Sequence, residues 1–91
     1  MRFRVFLHGT NALIDTDGRP QRLGFFTTRI VEAPNKQVAE LQAIRLLKSD
    51  DWLSKALLNA STDPFMLAVE EVEEAAPDET ATMGYSWYPM K

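Results

Sequence analysis

The 91 residues contain no cysteine, which excludes disulfides, thiolate catalysis, thiol-ligated zinc and iron–sulfur clusters together. A stapled secreted scaffold is therefore excluded, and packing has to hold the chain. Histidine occurs once, as His8, so neither a multi-histidine metal site nor a zinc helix with paired histidines can be built. The four glycines, Gly9, Gly18, Gly24 and Gly84, stand alone, and no phosphate loop or dinucleotide fingerprint can be assembled from them. No stretch approaches the roughly 18 apolar residues of a membrane span. Met1-Arg2-Phe3-Arg4 alternates charge with apolar side chains where a signal peptide would run apolar, so the chain reads as cytoplasmic, with no membrane partner. What is present is ordinary for a globular protein: 45% hydrophobic and 25% charged residues, enough for one core in a single domain over 1–91.

Periodicity supplies the elements. Phe3, Val5 and Leu7 alternate with Arg2, Arg4 and His8, which predicts a strand. Asp15-Thr16-Asp17-Gly18-Arg19-Pro20 is a turn, with Gly18 free to take positive φ and Pro20 fixing φ before the chain re-extends. Leu23–Ala33, rich in aromatic, β-branched and Thr residues, predicts a long second strand, and the two make an antiparallel hairpin in which Gly9–Ile14 bulges or leaves the sheet. Asn35 is an N-cap for a helix carrying Val38, Leu41, Ile44 and Leu47 every third residue. Ser49-Asp50-Asp51 caps a shorter helix with Trp52 as a helix-to-sheet packing residue. After the turn formers Asn59 to Pro64, a third strand spans Phe65–Val72 with Leu67 and Val69 as its core pair. Glu73–Thr82 reads as a mobile acidic loop, and Met83–Tyr88 as a short terminal strand. The expected fold is a two-layer α+β domain: an antiparallel or mixed sheet of 3–4 strands in the order β-β-α-α-β-β, with the helices on one face. If the second and third strands run parallel, room is left for the first strand between or beside them.

Charge is divided along the chain. Residues 1–55 hold nine basic and six acidic groups, 56–91 one basic and seven acidic. Arginines of the hairpin (Arg2, Arg4, Arg19, Arg22, Arg29) can pair with Glu70, Glu71, Glu73 and Glu74 across strands; the same split could join two chains in an isologous dimer. Nucleic acid is a poor partner, because lysine clustering is lacking and the acidic segment repels phosphate.

Catalytic and metal motifs fail individually. His8 shares its strand face with Thr10 but has no orienting acid in the local sequence. Asp15-Thr16-Asp17-Gly18 is not a calcium loop, since Arg19 and Phe26 stand at ligand positions. The glutamates around Glu70 read as a solvated run. No catalytic residue, metal site or cofactor is assigned. The densest feature is Gly24-Phe25-Phe26-Thr27-Thr28-Arg29: consecutive phenylalanines on a strand point to opposite faces, so one of them lies outside the helix-covered core. It is covered by Tyr85-Ser86-Trp87-Tyr88 or open to a partner. Phe25, Phe26, Arg29, Tyr85, Trp87 and Tyr88 form the expected interaction surface. The alternative is a small-ligand binder or minor enzyme with an anion pocket between Phe25, Phe26, Arg29, Tyr85 and Trp87.

The run Gly24 to Ala33, followed by a capped helix beginning Val38-Ala39-Glu40, looks like small bacterial proteins of unknown function. The hairpin-then-helix order of residues 2–48 also resembles the ββαβ antitoxin domains of the HicB type, a resemblance that implies a small sheet against a helix and action by binding a toxin. The chain departs from them in lacking a glycine and proline signature between the strands and an appended helix-turn-helix, and no residue role is carried over. Together these readings favour a non-enzymatic protein–protein interaction module that pairs with itself or another protein.

Overall fold

A computed structural model of the chain describes residues 1–80 and 84–90. It contains β1 (Arg2–Thr16), β2 (Arg19–Glu32), α1 (Lys36–Lys48), α2 (Asp51–Ala56), β3 (Met66–Glu74) and β4 (Ser86–Pro89). The strands form one four-stranded sheet in the order β3-β1-β2-β4. Every pairing is antiparallel, so the α+β class holds and the mixed-sheet option does not. Both β2 and β3 run opposite to β1, which therefore lies between two mutually parallel strands. Among the described residues no helix is long and apolar enough to cross a membrane.

The hairpin β1–β2 is the frame of the molecule, and its two long strands set the 42 Å long axis. It closes through Asp17 and Gly18, with φ of 53° and 83°, the left-handed pair that lets a two-residue turn follow strand twist. The strand expected to start at Leu23 begins at Arg19. β1 does not leave the sheet between Gly9 and Ile14. It bulges there, with Asn11 at φ 58° and its side-chain amide donating to Asp63 Oδ1 at 2.9 Å. The extra residue shifts the buried positions from odd (Phe3, Val5, Leu7) to even (Ala12, Ile14). A second bulge lies in β3, where Phe6 pairs with Glu71 but Leu7 with Val69. Glu70 is the residue left over, which is why Leu67, Val69 and then Val72 all pack against the core.

The helices cover the face carrying Phe3, Val5, Leu7, Leu23, Phe25 and Val31. Asn35 caps α1 by accepting the Val38 N–H at 2.9 Å. The buried line of α1 is Ala39, Ala43 and Leu47, at a spacing of four. The predicted stripe through Leu41 is corrected: Leu41 is 63% exposed. It lies about 200° around the helix from Ala39, and the two alanines on the buried line let the backbone approach the sheet. Asp50 caps α2 by accepting from Leu53 N at 3.0 Å, and Leu53 is the buried anchor of that turn. Trp52 packs on the Tyr85 and Trp87 rings, centroids 5.7 and 6.0 Å away, yet is 55% exposed; it flanks the core without entering it.

β3 runs two residues past the predicted end, through Glu73 and Glu74, so the acidic connection begins at Ala75 and not at Glu73. Its described part is tied down: the Arg2 guanidinium donates to the carbonyls of Ala76, Pro77 and Glu79, and Arg4 pairs with Glu79. Residues 81 and 82 of the predicted loop, and Met83 of the predicted terminal strand, lie outside the described residues.

Candidate functional site

Two glycines decide where the aromatic rings go. Gly9 faces Phe25 across the hairpin, and the Phe25 ring lies so close over it that a Cβ would sit 2.2 Å from Cε2. Gly24 faces Tyr88, whose ring would stand 2.1 Å from a Cβ there. Each glycine is thus covered by a cross-strand aromatic ring, Phe25 on the helix side and Tyr88 on the open side.

On the open side the rings form a continuous plate. Phe6 stacks on Phe26 at 5.4 Å between centroids and 5° between planes. His8 stacks on the same Phe26 ring at 4.3 Å and 15°, and Tyr88 adds a third neighbour at 5.7 Å. His8 is held at both nitrogens: Nδ1 lies 3.1 Å from Glu70 Oε1, and Nε2 meets the Tyr88 hydroxyl. A carboxylate, an imidazole and a phenol from β3, β1 and β4 therefore line up across the sheet. The carboxylate accepts from Nδ1–H, which leaves Nε2 to accept from the phenol. The bulge at Glu70 aims this carboxylate.

The arginines around the plate are already paired. Arg4 bonds Glu73 and Glu79, and Glu79 through this contact is held below the ordinary carboxylate range. Hydrogen bonding between Glu71 and Glu73 holds the Glu71 carboxyl above its usual value and Glu73 below it; Arg4 sits on the Glu73 side. At the other end Arg22 bonds Asp63 at 2.7 Å. Hydrogen bonds from Asn11 and Arg22 hold Asp63 low. The arginines of this face are thus committed to partners within the chain, which leaves little free positive charge for a phosphate backbone.

The six residues predicted for one surface are divided between the two faces. Phe26 and Tyr88 belong to the open plate. Phe25 is fully buried on the helix side among Phe65, Tyr85 and Trp87. Arg29, placed on the surface by its charge, is only 3% exposed. Its Nη1 donates to Thr27 Oγ1 at 2.6 Å and to the Thr28 carbonyl at 2.9 Å, and its Nη2 to the Tyr85 hydroxyl at 3.2 Å. Asp50 Oδ2 lies 3.8 Å from that guanidinium and accepts from Tyr85 at 2.9 Å. The Leu53 amide, with Tyr85 and Arg29 in support, lowers the Asp50 carboxyl, whereas burial and the bond to Asp50 push Tyr85 up to about 12. This cluster fastens β2, the α2 cap and the β4 approach to one another. The anion pocket drawn from Phe25, Phe26, Arg29, Tyr85 and Trp87 does not form, because its members face opposite sides of the sheet and the arginine is spent.

A hollow of about 470 Å³ between α1, α2 and the loop to β3 contains none of the predicted residues. A second of about 310 Å³ touches Phe6, Phe26 and Tyr85. His8 lines none of the main hollows among the described residues. Sequence reasoning missed Phe6, Glu70 and the His8–Tyr88 contact as members of the plate; the even parity of Phe6, His8 and Phe26 was the available signal.

Fold and site together define an α+β protein with one sheet face covered by helices and the other presenting stacked aromatics. In comparisons with known proteins, no family model, curated protein or solved structure matches the chain.

Proposed function

We propose that the protein is a non-enzymatic interaction module that self-associates through the open face of its sheet, the occupant of that face being a second copy of the chain. The observation that carries this is the plate of Phe6, His8, Phe26 and Tyr88, half-exposed on the side away from the helices. An apolar centre with paired charges at its ends has the anatomy of an interface, apolar within and polar at the rim. Arg4 and Arg22 offset part of the acidic charge within each protomer, which reduces the like-charge cost of bringing two copies together. Strands of 15, 14, 9 and 4 residues, about 4.8 Å apart and rising about 3.3 Å per residue, present roughly 650 Å². Two such faces cover about 1,300 Å², above the roughly 1,000 Å² that a specific interface needs. The resemblance to HicB-type domains, which act by binding a protein, agrees with contact and not reaction.

Sedimentation equilibrium tests the reading. The wild type should show twice its 10.3 kDa chain mass. Phe6→Asp, and Ala68→Arg at an exposed position of the same face, should reduce it to one chain with circular dichroism unchanged. A wild type that stays at 10.3 kDa, or an Ala68→Arg variant that still pairs, overturns it.

A further inference from the structure

We propose that this contact is gated by a proton on His8: protonation of the imidazole strengthens the pairing of two open faces. The inference rests on the self-association reading and adds its regulation.

His8 sits at the centre of the plate, and its surroundings fix what a proton does there. From β3 it faces Glu70 at 3.1 Å, from β4 the Tyr88 hydroxyl, and from β2 only the Phe26 ring. The nearest outward cation on its own strand, Arg4, is engaged with Glu73 and Glu79, and the helices lie on the far side of the sheet. With the imidazole neutral, the only formal charge in this group is the Glu70 carboxylate. Covering the face then takes this carboxylate out of water, beside Glu71, which stands opposite Phe6 on the same face and is hydrogen-bonded to Glu73; burying such an anion is costly unless a cation accompanies it. With the imidazole protonated, His8 and Glu70 are a neutral pair. The imidazolium also lies flat on Phe26, where the ring face attracts a cation. Nε2–H then donates to Tyr88, and the phenol hydrogen turns outward as a donor for the opposing copy. Each of these changes favours the covered state. Histidine is the side chain whose charge changes between about pH 5 and 8.

The test is the dimer dissociation constant at about pH 8 and about pH 6 for the wild type, His8→Gln and Glu70→Gln, all substituted at exposed or half-exposed positions. The wild type should tighten by about tenfold on acidification, within the usual range of a coupling between two binding events. His8→Gln should lose that dependence, and Glu70→Gln should bind at pH 8 as tightly as the wild type at pH 6. A wild type that pairs equally at both pH values, or a His8→Gln variant that keeps the full dependence, overturns the gate while leaving self-association standing. A wild type monomeric at every pH removes both.

Discussion

Substituting Gly9→Ala puts a single methyl group into the tightest contact of the fold. The built Cβ would lie 2.2, 2.3 and 2.8 Å from three carbons of the Phe25 ring. That ring has no exposed surface and is enclosed by Tyr85 and Trp87 at 5.2 and 5.0 Å between centroids, so it cannot withdraw without moving β4. Gly9 is not among the residues at positive φ, so the cost is steric. Overpacking costs about 1–3 kcal/mol, against a gain of about 0.4–1 kcal/mol from stiffening the unfolded chain. Contacts this short place the collision in the upper half of its range, and a net loss of about 2 kcal/mol follows. In a domain of this size that is a fall of roughly 8–16 °C in melting temperature. Urea and thermal unfolding followed by circular dichroism measure it, with Gly84→Ala, whose Cβ would meet nothing within 4 Å, as the unaffected control. Phe25→Leu should relieve part of the collision, so the double variant should be less destabilised than the sum of the singles by about 0.5–3 kcal/mol. A Gly9→Ala protein melting with the wild type, or an additive double variant, would refute the reasoning.

Two further outcomes concern the buried cluster. Tyr85, pushed from 10.0 up to about 12, keeps its proton in the folded chain where the unfolded chain has lost it. Stability is therefore complete below about pH 10 and falls as pH rises towards about 12. Phenolate absorbance should show a late-titrating tyrosine, and Tyr85→Phe should abolish this alkaline loss. Asp50, held below the ordinary carboxylate value by the Leu53 amide, contributes stability that is present above the usual carboxylate range and is lost as pH falls below that range through its lowered native value. Asp50→Asn keeps the cap acceptor and should flatten this acid limb; Asp50→Ala should lose about 1 kcal/mol more through the missing cap, as measured by urea unfolding.

Local patterns made much of this architecture legible. The turn at Asp17-Gly18, the Asn35 and Asp50 caps, the Leu67–Val69 pair and the division of Phe25 from Phe26 all follow from residues within a few positions of one another. The failures share a cause, which is that the deciding partner is distant in the chain. Arg29 has the parity of Phe25, Thr27 and Val31, but its charge argued for the surface until Tyr85, 56 residues away, and Asp50 supplied its partners. His8 had no orienting acid nearby because Glu70 is 62 residues on and Tyr88 80. Val38, Ile44 and Leu47 pack as expected, but Leu41 was wrongly put on the buried stripe because large side chains were weighed over Ala39 and Ala43, although small residues mark a close approach. The phase shifts, odd to even after Gly9 and again after Val69, were present in the sequence as breaks in alternation and are the signature of the two bulges.

Amide and aromatic chemical shifts followed over a hundredfold dilution of the wild type report directly on which side of the sheet meets a partner. Concentration-dependent changes should fall on Phe6, His8, Phe26, Ala68 and Tyr88 and spare Leu41, Leu46 and Trp52 on the helical side. Shifts that follow concentration on the helical residues, or that do not move at all, would contradict it.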